Sequence, residues 1–159
     1  MNNKIKSLRE ALKVVKSLKS KGKKVVFTNG CFDILHYGHV SYLQKARRLG
    51  DFLVIGLNSD KSVKRLKGKD RPINTQKDRA NILSALECVD LVVIFEQDTP
   101  IHLIQAFSPD ILVKGGDWDA ETIVGANFVR SQGGKVSVIK YIKGYSTTRT
   151  IAKLSGCRK

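Results

Sequence analysis

The chain predicts an α/β fold: a five-stranded parallel sheet with helices on both faces, in a single domain. Three observations carry that expectation. Short β-branched runs alternate with stretches whose apolar residues recur at helical spacing. The run Phe52-Leu53-Val54-Ile55-Gly56-Leu57 is apolar throughout, as a strand covered on both faces should be. Punctuation falls between the runs, at Asn29-Gly30, Gly50 and Pro100.

Taken in order, the first element is an amphipathic helix beginning at Lys4, with Ile5, Leu8, Leu12 and Val15 on one stripe and lysines elsewhere. Residues 24–28 form the first strand and 40–49 the next helix, stopped by Gly50. Residues 52–57 give the second strand. A helix over 75–86, a strand over 91–95 and a helix over 99–107 follow, with Pro100 suited to a first turn. Residues 111–113 and 135–139 complete the strands. Between them 120–131 has helical spacing interrupted by Gly125, and a last helix spans 147–154. Strand and crossover repeated in this way imply right-handed connections and a Rossmann-like layering. The segment 60–77 stands out as a basic loop, with Lys61, Lys64, Arg65, Lys67, Lys69 and Arg71 around Gly68 and Pro72.

The 159 residues suit one core, which at this size buries roughly 70% of the unfolded surface. No run reaches the ~18 apolar residues of a membrane span, and no apolar stretch follows the early charges as in a signal peptide. A cytoplasmic location is expected. Cys31, Cys88 and Cys157 match neither zinc nor redox spacing and read as reduced thiols. A formal charge of +15 points to an anionic partner: a nucleotide, a nucleic acid or a membrane surface. Basic segments free of interleaved aromatics, with no reader motif, argue against nucleic acid.

In a parallel sheet ligands bind beyond the carboxyl ends of the strands, at the switch in strand order. Those positions here are 29–33, 58–60, 96–98, 114–118 and 144–149, and they hold the unusual polar residues. His36 and His39, three apart at a helix start with Gly38 between them, bring two imidazoles to one ligand beside free backbone N–H groups. That describes a phosphate site. A metal site is the rival, but only His102 remains as another histidine, and it reads as an ordinary residue of a surface helix. Ser146, Thr147 and Thr148 head the last helix, where hydroxyls either cap it or meet phosphate. In Lys114-Gly115-Gly116-Asp117-Trp118 the glycines make a turn or admit a ligand, Asp117 suits a hydroxyl or a cation, and Trp118 suits an apolar wall.

With these residues in place the chain resembles the nucleotidyltransferases marked by an HxGH signature and a later STT motif. Within them it is most similar to the bacterial D-glycero-β-D-manno-heptose 1-phosphate adenylyltransferases. The broader likeness rests on residues 30–39 and 146–148. The narrower one rests on Thr28-Asn29-Gly30, Asn58-Ser59-Asp60, Lys64-Arg65-Leu66-Lys67-Gly68, Arg71-Pro72-Ile73-Asn74, Asp98-Thr99-Pro100 and Leu112-Val113-Lys114-Gly115-Gly116-Asp117. It covers roughly residues 24–154. It implies a nucleotidyltransferase domain over 24–159 behind an N-terminal helix in 1–23, and a stand-alone form supplied by a separate heptose kinase. Two positions depart from the pattern: Cys31 is variable among members, and Tyr145 stands where cytidylyltransferases often have isoleucine.

The resemblance further implies transfer of AMP from ATP to a heptose 1-phosphate, with pyrophosphate released and Mg2+ accompanying the ATP, in lipopolysaccharide core or related glycan synthesis. Neighbouring members act instead as cytidylyltransferases on glycerol 3-phosphate or another alcohol phosphate. His36 and His39 are the implied catalytic pair, with Lys69 and Arg71 neutralising charge from the basic segment. Nucleotide contacts are implied for Asn29, Gly30, Cys31, Phe32, Gly38, Arg79, Gly116, Asp117, Trp118, Ser146, Thr147 and Thr148. Acceptor contacts are implied for Asp33, Asn58, Asp60 and Lys64, with Asp33 or Asp117 also placed to orient Mg2+. A homodimer or larger homo-oligomer is a family expectation.

Overall fold

In the computed structural model, which describes residues 4–140, 142 and 144–156, five parallel strands form one sheet in the order β3-β2-β1-β4-β5. The strands are β1 (Val25–Gly30), β2 (Phe52–Asn58), β3 (Leu91–Phe95), β4 (Ile111–Gly115) and β5 (Lys135–Ile139). The helices are α1 (Leu8–Ser20), α2 (Tyr37–Arg47), α3 (Asp60–Lys67), α4 (Gln76–Ala85), α5 (Ile101–Phe107), α6 (Ala126–Ser131) and α7 (Thr147–Gly156). Alternate residues of each strand feed two cores. Val25, Phe27 and Val54 pack with Ala11, Val15, Leu103, Ile104 and Phe107 on the face of α1 and α5. Val26, Leu53, Ile55 and Leu57 pack with Tyr42, Leu43, Ala80 and Leu83 on the face of α2 and α4. The period of two in a strand thus divides a continuous apolar run between two layers of helix.

From β1 the chain winds outward through β2 to β3, then crosses back to place β4 on the other side of β1. The switch point therefore lies between β1 and β4. Their ladder ends at Phe27↔Leu112, whereas β1 stays paired with β2 as far as Gly30↔Leu57. Beyond that point Tyr42 bridges the two strands, its hydroxyl lying 2.6 Å from Thr28 Oγ1 and donating to the Val113 carbonyl at 3.3 Å. A crevice opens at the switch point, where a ligand site is expected.

Several sequence expectations are corrected. Helix α1 starts at Leu8 because Ser7 caps it, with Ser7 N donating to Glu10 Oε2 at 2.9 Å in a capping box. Ile5 leaves the predicted stripe and bridges to Val92 beside β3, on the opposite face of the sheet from α1. The predicted basic loop is helical over its first half: Ser59 caps α3 through Ser62 N at 3.2 Å, and Val63 is buried. Lys61 lies on the exposed face of that helix, and Lys64, Arg65 and Lys67 fill its last turn, where positive charge suits the C-terminal end of the dipole. Helix α6 is half the predicted length, since Gly125 sits at φ +86° and a Cβ there would lie 2.7 Å from Ile104 Cδ1. His102 lies half-buried against Phe95 rather than on an open surface, with ring centroids 5.9 Å apart. Among the described residues no helix is long and apolar enough to cross a membrane, Cys31 and Cys88 are free thiols, and Cys157 lies outside those residues.

Candidate active site

The crevice between β1 and β4 is the mouth of a cleft of about 630 Å³. One wall is the turn from β1 into α2. Phe32 takes a left-handed conformation at φ 44°, and its ring folds back over Gly30, where a Cβ would lie only 2.9 Å from it. The same ring meets His39 edge-on at 5.4 Å. His36 and His39 stack, with ring centroids 3.8 Å apart and planes 18° apart. Helix α2 begins there with no side-chain cap, so its first N–H groups are left to a ligand. Gly38 has a second use: a Cβ at that position would lie 3.1 Å from both His36 Nδ1 and Tyr145 Cβ. Its bareness lets the start of α7 close against the histidine pair.

Burial, with the His36 ring beside it second, lowers the His39 pKa from 6.5 to about 4; burial also lowers that of His36. Both rings are therefore neutral near pH 7, and an arriving anion favours their protonation. The linkage has a definite sign. Between pH 6.5 and about 4 the unfolded chain binds a proton that folded His39 does not, so this contribution to stability is complete above pH 6.5 and is lost on acidification through that window. A His39→Gln variant should flatten the Tm–pH curve between those limits. An unchanged slope would contradict the assignment.

The remaining predicted residues fall into three groups. Asn29, Gly30, Cys31, Asn58, Arg71, Trp118 and the hydroxyls of 146–148 line the cleft with the histidines. Two of those hydroxyls also have local partners: Ser146 Oγ caps α7 through Arg149 N at 3.1 Å, and Thr147 Oγ1 donates to the Ile34 carbonyl at 3.4 Å. Capping and ligand contact are thus both open to this motif. Burial pushes the Cys31 thiol up, against the pull of Lys67, Arg79 and Arg71, leaving a neutral wall.

Asp33 and Arg79 line or adjoin the cleft but are committed to the protein itself. The Asp33 carboxylate, 3% exposed, accepts from Arg71 Nε at 2.5 Å, Ile73 N at 2.8 Å and Asn74 N at 3.0 Å. Burial opposes its ionisation, but those N–H groups and the guanidinium outweigh burial and hold its pKa below the usual carboxylate range. Asp33 therefore fastens segment 71–74 and aims Arg71 from within the cleft lining. Arg79, 1% exposed, donates to the Cys31 carbonyl at 2.5 Å, the Asn74 carbonyl at 3.0 Å and Asp60 Oδ1 at 2.9 Å. It is a buried brace, not a nucleotide contact, and Asp60 is its counter-ion.

Lys64, Lys69, Gly116 and Asp117 are absent from the lining. In their stead the structure brings in Lys67 and Lys114, which had no assigned role. Reading α3 as a helix from Ser59 would have found Lys67, since Val63, Leu66 and Lys67 share one side of it at helical spacing and the latter two line the cleft. Among the described residues no cluster of three His, Cys, Asp or Glu side chains can hold a metal. With Asp33 spent and Asp117 exposed outside the cleft, these residues do not fit a protein-held Mg2+.

The chain is similar to known proteins in sequence and in fold. A family model described as cytidylyltransferase-like matches residues 27–153. The chain is 56% identical over 151 residues to the bifunctional protein HldE of Geotalea uraniireducens, covering 95% of this chain and 31% of that protein. It is 57% identical over 153 residues to the protein of the same name from Campylobacter fetus, covering 96% and 32%. The chain thus spans about a third of the length of these curated relatives. A solved lipopolysaccharide core biosynthesis protein from Thermoplasma volcanium superposes with a TM-score of 0.61 at 30% identity, over 79% of this chain and all of that one. A pantoate-beta-alanine ligase from Francisella tularensis, complexed with beta-gamma ATP and beta-alanine, also gives 0.61, over 94% of this chain and 76% of its own. At 16% identity that likeness is one of fold alone.

Proposed function

Because the chain belongs to the cytidylyltransferase-like family, we propose that it is a nucleotidyltransferase that moves AMP from ATP to D-glycero-β-D-manno-heptose 1-phosphate. One observation carries the chemistry: the stacked histidines, the uncapped start of α2 and the hydroxyls heading α7 share one cleft at the switch point. The heptose acceptor is supported by the motifs shared with the adenylyltransferases the chain resembles. Its relation to the Thermoplasma volcanium protein supports the same reading.

In this reaction an oxygen of the acceptor phosphate forms a bond to the α-phosphorus of ATP. The bond from that phosphorus to the bridging oxygen breaks, and pyrophosphate leaves with the electron pair. The attacking oxygen is already anionic, so no protein base is required, and catalysis is positioning plus charge stabilisation. His36, His39 and the α2 N–H groups receive the nucleotide phosphates and meet the charge growing on the leaving group. Arg71, aimed by Asp33, faces the same cleft. The described residues offer no cage for Mg2+, which would accompany ATP as part of the co-substrate and would neutralise its phosphate charge. The protein acts in the cytoplasm, downstream of a kinase that phosphorylates the heptose at C1.

Pyrophosphate release measured for ATP and CTP against heptose 1-phosphate and glycerol 3-phosphate tests this reading. Turnover only with ATP and the heptose phosphate is expected, with an ADP-linked heptose seen by mass spectrometry. Preference for CTP and glycerol 3-phosphate would replace the reading with the cytidylyltransferase one.

A further inference from the structure

Lys114 is the last residue but one of β4, and its side chain turns into the cleft half-buried. Its Nζ donates to Asn29 Oδ1, a neutral acceptor, at 3.2 Å and lies 5.8 Å from the centroid of the Trp118 ring. It enters none of the ion pairs among the described residues. The two carboxylates that line the cleft are both spoken for, Asp33 by Arg71 and segment 73–74, and Asp98 by Arg65 Nε at 2.7 Å. Of the three cations in the lining, Arg71 alone has a counter-ion, which leaves the charges of Lys67 and Lys114 uncompensated. Burial, outweighing an opposing pull from Cys31, holds Lys114 below the usual lysine range, and the Lys67 ammonium adds a lesser push in the same direction as burial. A desolvated cation without a counter-ion costs free energy that a protein recovers only when a ligand brings the missing charge.

We propose that Lys114, held by Asn29 and seconded by Lys67, is the seat of the acceptor's phosphate monoester, separate from the nucleotide phosphates at the histidine pair. The charge matches the acceptor: a phosphate monoester carries roughly −1.5 to −2 at neutral pH, against two free positive charges. The same arrangement makes Lys114 a specificity device, because a neutral sugar would leave it buried and unpaired. The assignment rests on the two-substrate reading above, but the anion site itself does not need the acceptor to be a heptose.

Calorimetric titration of the wild type, Lys114→Met and Lys114→Arg with inorganic phosphate and, separately, with ATP tests the assignment. Lys114→Met should weaken phosphate binding by about tenfold or more, a charged hydrogen bond's worth, with ATP affinity changed less than about threefold. Lys114→Arg, which keeps the charge, should recover most of the loss. Unaltered phosphate affinity in Lys114→Met, an equal loss for ATP, or no phosphate binding by the wild type would overturn the proposal. Lys114→Gln carries the same test if the methionine variant does not fold. If phosphate binding depends on Lys114 but no heptose 1-phosphate is turned over, the acceptor assignment fails while the anion site stands.

Discussion

Replacing His39 with alanine is expected to lower turnover of the adenylyl transfer by about 10²- to 10⁴-fold while the protein stays folded. His39 is held from two sides, stacked 3.8 Å from His36 and met edge-on by Phe32 at 5.4 Å. A ring fixed in this way needs no reorganisation when charge develops on the departing pyrophosphate, which is the condition under which such a donor contributes most. It is neutral at rest, so its interaction with phosphate strengthens as negative charge grows and its pKa climbs from about 4. That difference between ground and transition states places the loss in kcat more than in KM. The half-buried ring contributes only one edge contact to the core, so circular dichroism and Tm should change little. A folded variant with wild-type turnover would remove His39 from the mechanism.

The layering was legible because β-branched apolar runs and helical spacing report burial directly, and the switch-point rule then selected the strand ends that converge on the cleft. What the sequence hid is the destination of its charges. Asp33, Arg71, Asp60 and Arg79 look alike in one dimension: polar residues beside a phosphate motif. In three dimensions Asp33 takes Arg71 and Asp60 takes Arg79. Lys67 and Lys114, left over from that pairing, are the cations exposed to a ligand. Such an assignment depends on partners 38 and 19 residues apart, and no local pattern encodes it. The helix over Asp60–Lys67 was hidden for a related reason: a dense run of lysines resembles a solvated loop, and only Ser59 and Val63 betray the cap and the buried face.

Arg79→Met should lower stability by about 3–5 kcal/mol, the usual cost of breaking a buried charge pair from one side. The guanidinium is fully buried and ties three separate segments: the Cys31 carbonyl after β1, the Asn74 carbonyl before α4, and the Asp60 carboxylate at the start of α3. Methionine fills much of the volume but leaves two carbonyls without their donor and Asp60 without its counter-ion. At about 2–4 °C per kcal/mol for a domain of this size, Tm should fall by roughly 6–20 °C. Arg79→Lys should recover only part of this, since an ammonium cannot present the planar fork that reaches three acceptors. The experiment also separates the two readings of this residue. A nucleotide contact would lose ATP affinity at unchanged Tm, whereas the brace seen here loses Tm first, with activity declining as the Cys31 wall and segment 71–74 loosen.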